Sequence, residues 1–132
     1  MRPLTVEEPA TMPSGTILIV EDSPTGLTLL TDTLRPKGFR LLSATDGDEA
    51  LDTARREHPD LVLLDVILPR KNGFQVCRQL KTEAGTRDIK VILVTSKTQP
   101  SDRFWGLKQG ADEYLTKPFT PEQLLGAVER HL

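Results

Sequence analysis

Five times after its first fifteen residues the chain passes from a short run rich in Leu, Ile and Val to a longer segment with apolar residues three or four apart. That alternation is the pattern of an α/β fold on a parallel sheet, because parallel neighbours need a crossover of helix length between them. The runs at 16–21, 61–65 and 89–95 are almost wholly apolar, as strands covered by helices on both faces are. The weaker runs Arg40-Leu41-Leu42-Ser43-Ala44 and Asp112-Glu113-Tyr114-Leu115 carry polar side chains and suit the sheet edges. The expected architecture is a doubly wound five-stranded parallel sheet in order 2-1-3-4-5, with the first and third strands flanking the topological switch point.

The helices are announced by their starts. Ser23-Pro24 reads as an N-cap followed by proline in the first turn, Asp46 with Glu49 as a box-like pair, and Thr120-Pro121 with Gln123 as a capping box. Apolar stripes follow: Leu27, Leu30 and Leu34; Ala50, Leu51 and Ala54; Leu124, Leu125 and Val128. A third helix from about Asn72 is expected to bury Phe74, Cys77 and Leu80. A fourth, over Pro100 to Gln109, is expected to bury Leu107 and to stop at a left-handed Gly110.

The ends of the apolar runs carry the chemistry. Asp65 follows Leu61-Val62-Leu63-Leu64, Glu21 and Asp22 follow Ile17-Leu18-Ile19-Val20, Thr95 follows Val91-Ile92-Leu93-Val94, and Lys117 lies just past Tyr114-Leu115. Ligands of open α/β sheets bind in the crevice beyond the carboxyl ends of the strands, so these groups are expected to meet there. Carboxylates so gathered repel, at about 4 kcal/mol per pair for a 4 Å separation and an effective dielectric near 20. Lys117 offsets part of that charge. Oxygen donors without a nearby thiol or imidazole suit a hard divalent cation, for which Mg²⁺ is the expected cofactor. An acid in such a place can serve as a nucleophile for phosphoryl transfer, where catalysis is mostly positioning and charge stabilisation.

Composition narrows the rest. A chain of 132 residues is one domain with a core of its own. A formal net charge of -2, spread without blocks, gives no footprint for direct nucleic-acid binding. A single cysteine, Cys77, excludes an internal disulfide and fits a reducing, cytoplasmic setting, and no stretch is long and apolar enough to span a membrane. At that place on a helical stripe Cys77 reads as a core residue. Residues 1–15, with Pro3, Pro9, Pro13, Glu7 and Glu8, read as a flexible tail ahead of a domain over 16–132.

In these motifs the chain resembles the receiver domains of two-component response regulators, from about Thr16 to Leu132. The likeness rests on Glu21-Asp22, on Asp65-Val66-Ile67-Leu68-Pro69-Arg70-Lys71-Asn72-Gly73, on Thr95-Ser96, and on Gly110-Ala111-Asp112-Glu113-Tyr114-Leu115-Thr116-Lys117-Pro118-Phe119. It implies a flavodoxin-like receiver fold, Asp65 as phospho-acceptor, and Mg²⁺ held by Glu21, Asp22, Asp65 and the Ile67 carbonyl. It further implies that Thr95 and Lys117 bind the phosphoryl group and that the Lys117-Pro118 peptide is cis. Thr95 and Tyr114 would form a switch, with Tyr114 turning into space vacated when Thr95 moves toward the phosphate. That switch reshapes the face made by the fourth helix, fifth strand and fifth helix.

The implied partners are a sensor histidine kinase and an output protein. Oligomerisation is expected to be nil or limited to a weak phosphorylation-dependent dimer, and catalysis to the protein's own aspartyl phosphorylation and dephosphorylation. Glu21 stands where the family more often has Asp, Leu68 where it often has Met, and Ile67 and Lys97 take the positions that influence access of water to the phosphoryl group. The stretch Asp102-Arg103-Phe104-Trp105-Gly106-Leu107-Lys108-Gln109-Gly110 is similar to single-domain receivers of twitching and phototaxis pilus pathways. Motility machinery is the output this suggests, and Phe104, Trp105 and Tyr114 are the expected partner surface, because exposed aromatics often anchor interfaces. Three other readings remain open from sequence: an interaction module independent of phosphorylation, the receiver piece of a larger DNA-binding regulator, and a phosphatase of small molecules. No cap domain to enclose a substrate is evident for the last.

Overall fold

A computed structural model describes residues 15–132, so all but the last residue of the expected tail at 1–15 lies outside the described residues. Five strands, β1 (Thr16–Val20), β2 (Arg40–Ala44), β3 (Leu61–Leu64), β4 (Lys90–Thr95) and β5 (Glu113–Thr116), alternate with five helices. The helices are α1 (Pro24–Leu34), α2 (Gly47–Glu57), α3 (Gly73–Thr82), α4 (Pro100–Lys108) and α5 (Pro121–His131), with a 3₁₀ turn over Arg35–Lys37 after α1. All four strand pairings are parallel and the spatial order is β2-β1-β3-β4-β5. This is the doubly wound 2-1-3-4-5 sheet, with β1 and β3 side by side at the switch point. The carbonyl of Gly15 accepts the Arg40 N–H at 3.1 Å, which extends the β1–β2 ladder by one residue into the segment read as tail.

Side chains on a strand alternate between faces, and the core divides accordingly. Leu18, Val20, Val62, Leu64, Val91 and Leu93 pack with α2 and α3, while Ile17, Ile19, Leu61, Leu63, Ile92 and Val94 pack with α1 and α5. The caps sit where the residue types place them. Ser23 Oγ accepts the Gly26 N–H at 3.2 Å, and Asn72 and Gln75 exchange bonds at 3.0 and 3.1 Å, as Thr120 and Gln123 do at 3.1 and 2.8 Å. In α2 the Glu49 N–H donates to Asp46 at 2.8 Å, but the return bond from Glu49 goes to the N–H of Thr45. Gly110 has φ +101°, the left-handed conformation expected beyond α4. Cys77 is wholly buried, and burial pushes its thiol up to about 12, which fits a core side chain.

α4 departs from expectation. Leu107 is 44% exposed, and the buried residue of the helix is Gly106, whose missing side chain lets α4 lie against the sheet. A Cβ there would come within 2.7 Å of Leu93 Cδ1 and 3.0 Å of Tyr114 Cδ1. With Gly106 facing inward, the next residue is turned about 100° away around the helix, so Leu107 faces out together with Phe104 and Trp105.

The fifth strand begins one residue later than the expected run, because Asp112 serves as a latch beneath it. Its N–H donates to the Val91 carbonyl at 2.8 Å, and its Oδ2 accepts the Val91 N–H at 2.8 Å and lies 2.9 Å from Lys81 Nζ. Burial alone would raise the Asp112 pKa, but the hydrogen bonds from Lys81 and Val91 outweigh it and hold the pKa below the ordinary value. A depressed carboxyl stabilises the fold above its unfolded pKa, about 3.9, and loses that contribution as pH falls through the lower folded value. Glu113 is depressed likewise, chiefly by its hydrogen bond with Arg130. Urea midpoints are therefore expected to fall as pH drops below about 4, and Asp112→Asn is expected to flatten that fall. An equal slope in the variant would refute the latch.

Candidate functional site

Three strand ends deliver Glu21, Asp65 and Lys117 to one crevice. Ladder bonds carry each chain just past its strand: Glu21 N–H to the Ala44 carbonyl at 3.0 Å, Asp65 N–H to the Val20 carbonyl at 3.1 Å, and Lys117 N–H to the Thr95 carbonyl at 2.8 Å. Lys117 Nζ then donates to Glu21 Oε1 at 2.6 Å and to Asp65 Oδ2 at 3.0 Å. Both acids are buried, Glu21 to 2% and Asp65 to 8% exposure. Their other oxygens take backbone donors, Glu21 Oε2 from Ser23 at 3.2 Å and Asp65 Oδ1 from Ile67 at 3.1 Å. Burial opposes the charge on Lys117, yet the hydrogen bonds to Glu21 and Asp65 outweigh it and raise the ammonium's pKa above its ordinary value.

The other expected site residues lie around this triad. Asp22 is exposed beside Glu21, and Ile67 is 57% exposed on the loop after β3. Thr95 is fully buried at the end of β4, and its hydroxyl accepts the Lys97 N–H at 3.4 Å. Tyr114 is 3% exposed, with its hydroxyl donating to the Lys97 carbonyl at 2.7 Å, so it already occupies the inward position. Burial raises its phenol pKa, with the Asp102 charge adding to the effect. The exposed aromatic surface is therefore carried by Phe104 (62%) and Trp105 (54%), without Tyr114. The Lys117-Pro118 peptide is cis.

Among the described residues no three acidic, histidine or cysteine side chains are grouped as they would be around a bound ion; the Lys117 ammonium bridges the two buried acids. The donor chemistry still suits a hard divalent cation, since the crevice offers the carboxylate oxygens of Glu21 and Asp65 without thiolate or imidazole.

Two glycines hold this geometry. A Cβ on Gly73 would stand 2.2 Å from the carbonyl oxygen of Asp65, and one on Gly26 would stand 2.8 Å from the carboxyl carbon of Glu21. Gly26 lay outside the sequence expectations. The available signal was a glycine in the first turn of a capped helix, where it costs about 1 kcal/mol against alanine.

Comparison with known proteins places the chain in a family. The model of the response regulator receiver domain matches residues 17–129. The chain belongs to that family. This receiver is 48% identical over 112 residues to the protein PilH of Pseudomonas aeruginosa, covering 85% of this chain and 93% of PilH. It is 42% identical over 116 residues to the DNA-binding response regulator MtrA of Mycolicibacterium smegmatis, covering 88% of this chain but only 50% of MtrA. Among solved structures, the receiver domain of a sensor histidine kinase from P. aeruginosa superposes with a TM-score of 0.83 at 31% identity, covering 90% of this chain and 98% of that one. That crystal structure has a magnesium ion coordinated in its active-site cleft. The chain is thus a receiver of the two-component signalling type, and among its described residues no helix is long and apolar enough to cross a membrane.

Proposed function

We propose that this receiver takes a phosphoryl group from the phosphohistidine of a sensor histidine kinase onto the Asp65 carboxylate. The observation that carries the reading is the buried Asp65 held 3.0 Å from Lys117 Nζ at the switch point of the sheet. An Asp65 oxygen forms the new O–P bond as the P–N bond of the donor breaks, and the imidazole nitrogen keeps that bond's electron pair. Lys117 meets one phosphoryl oxygen and the Thr95 hydroxyl another, supplying charge and hydrogen bonds where the transferring group needs them. Glu21, Asp22, Asp65 and the Ile67 carbonyl would hold Mg²⁺, whose charge neutralises phosphoryl oxygens during transfer.

Phosphorylation then acts as a population shift. Thr95 Oγ accepts the Lys97 N–H and the Tyr114 hydroxyl donates to the Lys97 carbonyl, so a Thr95 hydroxyl drawn to a phosphate perturbs the turn that holds Tyr114. The face of α4, β5 and α5 responds, with Phe104 and Trp105 as its exposed anchors. The sequence likeness to pilus-pathway receivers favours motility machinery as the output, and the single cysteine favours a reducing, cytoplasmic setting. A second reading, a receiver joined to a DNA-binding part, draws on the MtrA match, in which this chain spans half of the relative.

Acetyl phosphate with Mg²⁺ is expected to add the mass of one phosphoryl group to the protein, and Asp65→Asn or EDTA to abolish the gain. An unmodified wild type would defeat the reading. Capture of partners with phosphorylated and unphosphorylated protein then separates the two outputs.

A further inference from the structure

Glu21 is one methylene longer than aspartate, and that methylene must find room in a buried crevice. The room is made by Gly26 in the first turn of α1. A Cβ built on Gly26 would lie 2.8 Å from Glu21 Cδ, 2.9 Å from Oε1 and 3.1 Å from Cγ. Contacts below 3.0 Å force something to move. A free carboxylate would swing aside, but this one is 2% exposed and tied at both oxygens. Oε1, the oxygen the methyl would crowd, is the one that accepts from Lys117 Nζ at 2.6 Å, and Oε2 accepts from the Ser23 N–H at 3.2 Å. Gly26 has no left-handed backbone to explain it. Its residue type is explained by space.

We propose that Gly26 is a positioning residue, whose missing side chain lets Glu21 set its carboxylate against Lys117 and so at the cation-binding edge of the crevice. The part concerning the cation rests on the function proposed above; the contact between Gly26 and Glu21 does not. Glu21 and position 26 are therefore coupled, a longer acid requiring the smaller residue.

The coupling is read from a cycle of wild type, Gly26→Ala, Glu21→Asp and the double variant. Thermal midpoints are measured in EDTA, and Mg²⁺ affinity by titration calorimetry. In the wild-type background Gly26→Ala is expected to lower the midpoint and to weaken Mg²⁺ binding about tenfold, the scale for a disturbed supporting contact at a metal site. In the Glu21→Asp background the same change is expected to raise the midpoint, because alanine is the better helix former, and to alter Mg²⁺ affinity by less than about twofold. Effects of equal sign and size in both backgrounds would overturn the proposal, as would a raised midpoint for Gly26→Ala alone. If the wild type takes no phosphoryl group from acetyl phosphate, the phosphorylation reading falls while the melting cycle in EDTA still decides the coupling.

Discussion

Lys117→Met is expected to cost about 3 kcal/mol of stability in EDTA, the lower end of the scale for removing one partner of a buried ion pair, because the lysine side chain itself is 27% exposed. The ammonium is the group that bridges Glu21 and Asp65, at 2.6 and 3.0 Å, and both acids are buried. Methionine keeps much of the volume but leaves two carboxylates facing each other without a cation. Adding Mg²⁺ is expected to return part of the loss, because a cation bound to the native crevice stabilises it by mass action. On the function proposed above, phosphorylation by acetyl phosphate is expected to fall steeply even at saturating Mg²⁺, since the charge proposed to meet a phosphoryl oxygen is gone. Urea unfolding with and without Mg²⁺ measures the first two effects. A variant within about 1 kcal/mol of wild type in EDTA would mean that the bridge carries little energy, as exposed pairs do.

Gly73→Ala is expected to cost about 3 kcal/mol, the upper part of the usual range for overpacking. The new methyl would stand 2.2 Å from the Asp65 carbonyl oxygen and 2.7 Å from Val66 Cα. Both are backbone atoms. Side chains can rotate away from a methyl, but here α3 or the end of β3 must move, and the Gly73 N–H bond to the Val66 carbonyl at 2.8 Å goes with them. For a domain of this size the loss corresponds to a melting point lower by roughly 10–15 °C. Because the displaced peptide belongs to Asp65, phosphorylation is expected to slow as well. A melting point within about 2 °C of wild type would show that α3 can shift freely.

The parts of the fold legible in the sequence are those where one residue type has one job. The runs at 17–20, 61–64 and 91–94 are buried on both faces and read as strands because nothing polar interrupts them. Ser23, Asp46 and Thr120 read as helix starts because their side chains bond backbone N–H groups that have no partner within the helix. The site's acids and lysine were legible from their place after those runs, and the structure brings Glu21, Asp65 and Lys117 into contact. The span of α4 and its stop at Gly110 were legible, but its inner face was not, because its contact with the sheet is made by a glycine and no apolar stripe marks it. The inward Tyr114 and the Asp112 latch depend on partners distant in sequence, Lys97, Val91 and Lys81. Gly26 was silent because its contribution is an absence of atoms.

The division of the core has a consequence for how such a protein diversifies. The sheet is a wall between two packed halves, one with α1 and α5, the other with α2 and α3. Substitutions separated by that wall share few neighbours and are expected to add rather than interfere. A change to the packing on one side of the sheet is therefore expected to leave the packing on the other side intact, provided that the strand ends between them stay in place.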